Sequence, residues 1–177
     1  PYIRIPLRKS CGRFRYNRAM PGPKTKKGFA AVLADRYPGL LEKVQALIVE
    51  AERKFAGNSP EAEGSFLWEH TLHVAGLAFK LAEAEKANPA LAAVTALFHD
   101  AGKFAGGRYH ADQTAEEETA AALVEKMLPK TRMKAADRRT VAAALRALYN
   151  ESSGGNPVAD VVHDADFLSK FGYLGVA

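Results

Sequence analysis

Residues 88–103 read NPALAAVTALFHDAGK, and this stretch is the most informative about the fold. Asn88 followed by Pro89 predicts a helix start, because asparagine caps a first turn and proline is tolerated at the first helical position. Positions 90–98 are almost entirely apolar, so we expect a buried helix. His99 and Asp100 then end it. A carboxylate at the end of a buried helix is costly unless it is paired or bound to a metal.

The chain outside this stretch is helical in pattern from Gly28 onward. Apolar residues recur at helical spacing in residues 40–51, after a short helix that stops before Pro38. Cap and stop signals predict further helices at about residues 65–86 (from Ser65), 114–129 (Thr114 with Glu117), 135–149, and 157–172 (Pro157 to Gly172). Strand alternation and internal repeats are absent from the sequence. We therefore expect an all-α bundle of about six or seven helices.

The composition is that of an ordinary globular protein, with 177 residues, 47% hydrophobic and 25% charged. This length favours one domain. The single cysteine, Cys11, excludes a disulfide scaffold and a thiolate zinc cluster. No apolar run approaches the ~18–20 residues of a membrane span. With no secretion signal, we expect a cytoplasmic location and no membrane partner.

The basic charge of the chain is concentrated in its first residues. Residues 1–27 hold nine Lys or Arg and no acid, whereas the remainder holds 16 basic and 20 acidic residues. We predict that residues 1–27 form a disordered basic arm ahead of a single helical domain at residues 28–177. The arm could bind a phosphate-rich polymer, could resemble a transit segment, or could be incidental, which we favour because a natural chain could start at Met20.

Three predicted helices carry histidine or aspartate in apolar surroundings. His70 lies on the helix of residues 65–86, the pair His99-Asp100 closes the buried helix, and Asp164 and Asp166 lie on the last helix. Taken singly, each is explained by a hydrogen bond that satisfies a buried polar group. Three such helices make one shared site the better explanation.

Three blocks of sequence together resemble the HD-domain superfamily of metal-dependent phosphohydrolases. They are residues 70–75 (HTLHVA), 98–103 (FHDAGK) and 164–168 (DADFL), in the family order H…HD…D. The resemblance implies a compact helical bundle around one metal site, with His70, His99, Asp100 and Asp166 as the ligands. Asp164 is the competing choice for the last ligand, since a shift in the register of that block would exchange the two acids.

Two imidazoles and two carboxylates suit one divalent cation, whether Mn, Fe, Co, Ni, Zn or Mg. The resemblance implies hydrolysis of a nucleotide or similar phosphate ester by a metal-activated water. Asp100 or Asp164 would hold or deprotonate that water, and Lys103, one turn beyond Asp100, would neutralise phosphate charge. His110 follows the Gly106-Gly107 turn and could act as a general acid, contact substrate or bind a second ion.

Other polar residues of these blocks are weaker candidates. Arg108 and Lys170 could contact phosphate but are more typical of surface charge. His73 shares a helix face with His70, and we expect it in the core or behind the ligands.

Departures from the family pattern reduce the number of family branches, and therefore of substrate classes, that the chain resembles. Some 5′-nucleotidase-like and alarmone-hydrolase branches have an acid where this chain has Lys103, which argues against them. The cyclic-dinucleotide phosphodiesterase branch needs a further His-His pair, and residues 148–151 (LYNE) offer no histidine. The small single-domain HD hydrolases remain.

Two other classes of function stay open. One is a metal-containing nucleotide sensor or regulatory module without significant turnover. The other is a metal-free helical interaction protein whose basic arm touches nucleic acid. For the enzyme we expect a small phosphorylated substrate and only weak contact with nucleic acid through the arm, and the chain could form a homodimer. Family members commonly continue with more helix, so the domain could extend beyond Ala177.

Overall fold

The computed structural model of the protein describes residues 27–55, 66–103, 116–149 and 155–171. These ranges form seven α-helices and one short 3-10 helix, and they contain no strand, which confirms the all-α prediction. The helices are α1 (Phe29–Arg36), α2 (Leu40–Phe55), α3 (Phe66–Ala84), α4 (Pro89–Phe98), α5 (Glu116–Met127), the 3-10 helix (Leu128–Lys130), α6 (Ala135–Ala147) and α7 (Pro157–Ser169).

Helix α4 is the centre of the bundle, as its apolar sequence predicts. Every side chain from Ala90 to Phe98 is buried, because α3, α6 and α7 pack around it, with α1 and α5 alongside. The Asn88 side chain accepts a hydrogen bond of 3.2 Å from the Leu91 N–H, and Pro89 occupies the first turn. The predicted cap is therefore confirmed. It sets the first residue of α4, and His99 and Asp100 directly follow the last residue of this helix.

Helices α3 and α7 pack against each other and against α4. The contact face of α3 contains small residues, among them Ala75, Ala78 and Ala82, which are fully buried and let the helix axes approach closely. Asn156 caps α7 by accepting hydrogen bonds from the N–H groups of Val158 and Ala159 at 3.1 and 3.2 Å. The helix therefore begins at Pro157, as predicted.

Helices α5 and α6 form a hairpin that also packs against α4. Thr131 closes the connection by donating a hydrogen bond of 2.7 Å to the Leu128 carbonyl. Arg146 on α6 donates to Glu118 and Glu125 on α5, at 2.7–2.9 Å. Because α6 also packs against α7, this hairpin carries the residues just after α6 to the edge of α7.

Several expectations lie outside the described residues. They are the arm up to residue 26, the helix starts at Ser65 and Thr114, the stop at Gly172, and the side chains of Arg108 and His110. The domain boundaries stay predictions. Among the described helices, none is both long enough and apolar enough to cross a membrane.

Candidate metal centre

Four side chains from three parts of the fold converge at one point. His70 lies in the first turns of α3, His99 and Asp100 directly follow α4, and Asp166 lies on α7. The Nε2 atom of His70 lies 3.6 Å from Asp100 Oδ2 and 3.3 Å from Asp166 Oδ1. The Nε2 atom of His99 lies 3.5 Å from Asp100 Oδ2 and 3.8 Å from Asp166 Oδ1.

The chain after α4 turns tightly, and this turn brings two consecutive residues to the same point. The N–H of His99 donates to the Ala96 carbonyl at 3.4 Å, and the N–H of Ala101 donates to the Phe98 carbonyl at 3.0 Å. Such i to i+3 bonds are typical of 3-10 geometry at a helix end. His99, Asp100 and Asp166 are all buried, whereas His70 is half-buried at the edge of the group.

The hydrogen bonding of His99 tests whether this group fits a metal ion. Its Nδ1 lies 2.7 Å from the Ala96 carbonyl oxygen, which can only accept, so Nδ1 carries the hydrogen and donates it. In the neutral ring Nε2 then presents a lone pair towards two carboxylates. Nε2 is buried and makes no hydrogen bond within the described residues. A cation between these atoms would satisfy all of them.

The spacing of the four donor atoms also fits a cation. Ligands about 2.1 Å from a metal lie about 3.0–3.4 Å from their neighbours in octahedral or tetrahedral arrangements. Of the four nitrogen–oxygen separations, one is 3.3 Å, within this range, and the other three, at 3.5–3.8 Å, are slightly wider. The donor atoms of His70, His99 and Asp100 all lie within 4.8 Å of one another. Asp166 is not part of that cluster of three, and it adjoins the cluster through the two histidines, at 3.3 and 3.8 Å. One divalent cation is the cofactor that this set of nitrogen and oxygen donors fits.

The electrostatics of the donor side chains place a proton and a cation in competition at His99. Burial lowers the pKa of His99, but the negative charge of Asp100, with contributions from Asp166 and the Ala96 carbonyl, raises it above its usual value. Burial raises the pKa of Asp166, but its contacts with His70, His99 and Lys170 lower it far below the usual range. Asp166 is therefore ionised, and a metal must displace the proton that His99 would otherwise take.

A second layer of contacts holds the two carboxylates. Asp166 Oδ2 accepts hydrogen bonds from the Tyr149 hydroxyl at 2.9 Å and from Lys170 Nζ at 3.1 Å, which leaves Oδ1 facing the histidines. Lys103 Nζ donates to Asp100 Oδ2 at 2.8 Å. Burial and the charge of Asp166 raise the pKa of Tyr149 well above its usual value, so its hydroxyl stays protonated as a donor. Two ammonium groups thus balance two carboxylates.

Gly102 has a steric role beside the site. A Cβ atom at this position would lie 2.3 Å from the backbone oxygen of Glu116, at the start of α5. The turn that carries Asp100 and Lys103 therefore packs directly against the backbone of α5. This contact explains why the sequence has glycine between Asp100 and Lys103.

The other residues singled out from the sequence have different positions. Asp164 lies two residues, or about 200°, from Asp166 on α7; its side chain is 60% exposed and contacts His163 Nδ1 at 3.5 Å. Its catalytic role stays a prediction. His73 is exposed, so the expectation that it lies in the core or behind the ligands is wrong: the buried face of α3 includes Val74, not His73.

The sequence did not indicate two residues that lie beside the site. Tyr149 bonds Asp166 across 17 positions of sequence, and no local pattern relates them. The Phe66 ring is stacked on His70, with centroids 6.5 Å apart and ring planes within 10°. Phe66 precedes His70 by four positions, so helical spacing could have indicated this pair.

Comparison with known proteins supports the reading of the motifs. The family model of the HD domain matches residues 67–169, more than half of the chain and the part that contains all four donor residues. A crystal structure of a predicted HD superfamily hydrolase from an uncultured Thermotogales bacterium shares the fold, with a TM-score of 0.62 and 21% identity, covering 83% of this chain and 77% of that one. No curated protein matched the chain. The resemblance indicated by the three blocks is thus confirmed, and we conclude that this chain belongs to the HD domain family.

Proposed function

We propose that this protein is a metal-dependent phosphohydrolase acting on a nucleotide or similar phosphate monoester. The observation that carries the proposal is the convergence of two imidazole nitrogens and two carboxylate oxygens around His99 Nε2, a buried atom that makes no hydrogen bond within the described residues. His70, His99, Asp100 and Asp166 would hold the ion. When bound, a divalent cation supplies an acidified water and a Lewis acid for a phosphoryl oxygen.

The charge of the site supports an anionic substrate. Lys103 and Lys170 each donate to one of the two carboxylates, so the four donors and two lysines carry no net charge when both histidines are neutral. A divalent cation then leaves the site with an excess of about two positive charges. A phosphate monoester dianion would neutralise that excess.

The side chains around the donors can be given roles in this reaction. The Lys103 ammonium is partly exposed while it bonds Asp100, so it can also contact a phosphate oxygen. Asp100 lies beside both histidines, and in this proposal it accepts the proton of the attacking water. Asp164, by contrast, is on the exposed side of α7, which favours Asp100 for this step. His110 keeps its proposed role as a general acid or substrate contact.

The experiment compares metal content and phosphate release in three proteins: wild type, Asp166→Ala and Asp160→Ala. Asp160 is an exposed acid on the same helix, so its replacement removes the same charge away from the donors. We expect about one divalent metal per chain and phosphate release from nucleoside monophosphates in wild type and Asp160→Ala. Asp166→Ala should lose both.

Other outcomes would contradict the proposal. Metal binding without release from any ester would instead favour a regulatory module that senses a nucleotide. Failure to bind metal after reconstitution would make the His and Asp residues structural.

A further inference from the structure

We propose that Phe66 forms the surface on which a planar aromatic ring of the substrate stacks, while the phosphate of the same molecule lies at the four donor residues. The ligand class is a phosphate monoester with a nucleobase-like ring. The inference rests on the proposed function and adds the residue that would distinguish such esters from simple sugar phosphates.

The position of the Phe66 ring is the first observation. Phe66 is the first residue of α3, and its ring is stacked on His70, whose Nε2 faces the two carboxylates. The side chain is 68% exposed, the most exposed of the large hydrophobic residues in the described part of the chain. One aromatic ring is therefore held next to a donor residue with most of its surface accessible to a ligand.

The surroundings of the donors supply the second observation. Among the described residues, five aromatic side chains are exposed. Two of them adjoin a donor residue: the Phe66 ring lies nearly parallel to the His70 ring, with centroids 6.5 Å apart, and Tyr149 donates to Asp166. They approach the centre from α3 and from the end of α6. Binding sites for small molecules commonly combine aromatic walls with a few placed charges, and here the charges are Lys103 and Lys170.

These two features match different parts of one molecule. The cationic side chains attract the phosphate and offer nothing to an uncharged planar ring. Phe66 offers a π-face, which every nucleobase can stack on, and stacking on an aromatic side chain is worth ~1–3 kcal/mol by alanine substitution. A sugar phosphate without a ring would leave the Phe66 face in water.

The test measures binding separately from turnover. The probes are the phosphonate analogues of adenosine 5′-monophosphate and of ribose 5-phosphate, in which a P–C bond replaces the ester bond that is hydrolysed. Calorimetry with the metal-loaded protein should give tighter binding of the adenosine compound, by about 5- to 150-fold. Phe66→Ala should remove most of this difference and leave the affinity for the ribose compound unchanged. Phe66→Trp should preserve it.

The matched control is Phe171→Ala. Phe171 is similarly exposed, at 65%, and among the described residues its ring packs edge-on against that of Phe167. This variant should keep the wild-type preference. In turnover, Phe66→Ala should raise KM for adenosine 5′-monophosphate with little change in kcat, because stacking acts equally on the ground and transition states.

Three results would overturn the inference. Equal affinities of wild type for the two probes would remove the need for a ring-binding surface. An unchanged preference in Phe66→Ala would exclude Phe66 as that surface. Loss of metal, or an equal loss of affinity for both probes, in Phe66→Ala would mean that Phe66 acts through His70. The proposed function fails on a different result, namely no phosphate release from any ester by metal-loaded wild type.

Discussion

Replacing Gly102 by alanine tests how closely the turn after α4 packs against α5. The added Cβ would lie 2.3 Å from the backbone oxygen of Glu116 and 3.1 Å from its carbonyl carbon. Even weak C–H···O contacts keep carbon and oxygen about 3.3 Å apart. The turn and the start of α5 would therefore have to separate by about an ångström, and a backbone atom cannot rotate away as a side chain can.

The expected cost follows from this overlap. Overpacking of a well-packed core typically destabilises by about 1–3 kcal/mol. In a protein of this size, 1 kcal/mol shifts the melting temperature by about 2–4 °C. Gly102→Ala should therefore lower the melting temperature by about 2–12 °C, measured with a chelator so that metal binding does not contribute.

Gly76 provides a matched control, because its replacement by alanine should stabilise the protein rather than destabilise it. It lies inside α3, and a Cβ there would be 3.6 Å from the Phe29 ring, an ordinary van der Waals contact. Alanine in a helix interior is about 1 kcal/mol more favourable than glycine. Gly76→Ala should thus stabilise the protein by about 0.5–1 kcal/mol. If Gly102→Ala were as stable as Gly76→Ala in chemical denaturation, the close approach of the turn to α5 would be refuted.

Three further predictions concern the donor residues. Tyr149→Phe should weaken Mn²⁺ binding by about 10- to 100-fold in an EPR titration, since it removes the hydrogen bond that orients Asp166; unchanged affinity would contradict this. Asp164→Ala should retain its metal in elemental analysis, whereas Asp166→Ala should not, and the reverse result would exchange their roles. Because the charge of Asp100 raises the pKa of His99 in the absence of metal, protons compete with the metal, and the apparent metal affinity should fall as the pH is lowered; an affinity that does not change with pH across the histidine range would rule out proton competition at His99.

The buried helix and its ends could be predicted because they depend on local sequence. The Asn88-Pro89 start, the apolar run 90–98 and the start at Pro157 are each a few residues long. All three have the structure that the sequence indicates. Caps and apolar faces act over one or two turns, so their effect does not depend on the rest of the fold.

Apolar periodicity alone does not choose between Asp164 and Asp166, and the preference for Asp166 came from the resemblance of residues 164–168 to the HD-domain pattern. The two acids lie on opposite sides of α7, and both have apolar neighbours along the chain. The packing of α7 against α3 and α4 turns Asp166 towards the histidines and leaves Asp164 exposed. The burial of His73 could not be predicted for the same reason. Helical spacing places His73 on the same side of α3 as His70, but it does not determine how much of that side is buried.

The sequence by itself determined that the chain is helical, that α4 is buried, and that histidine and aspartate on three helices could form one site. Those conclusions follow from apolar periodicity and from the cost of burying unpaired polar groups. Only the tertiary structure decided which atoms meet: that Nε2 of His99 lacks a partner among the described residues, that Tyr149 holds Asp166, and that Gly102 lies against α5. The contacts of Tyr149 and Gly102 join residues far apart along the chain, and their distances depend on how the helices pack as rigid bodies.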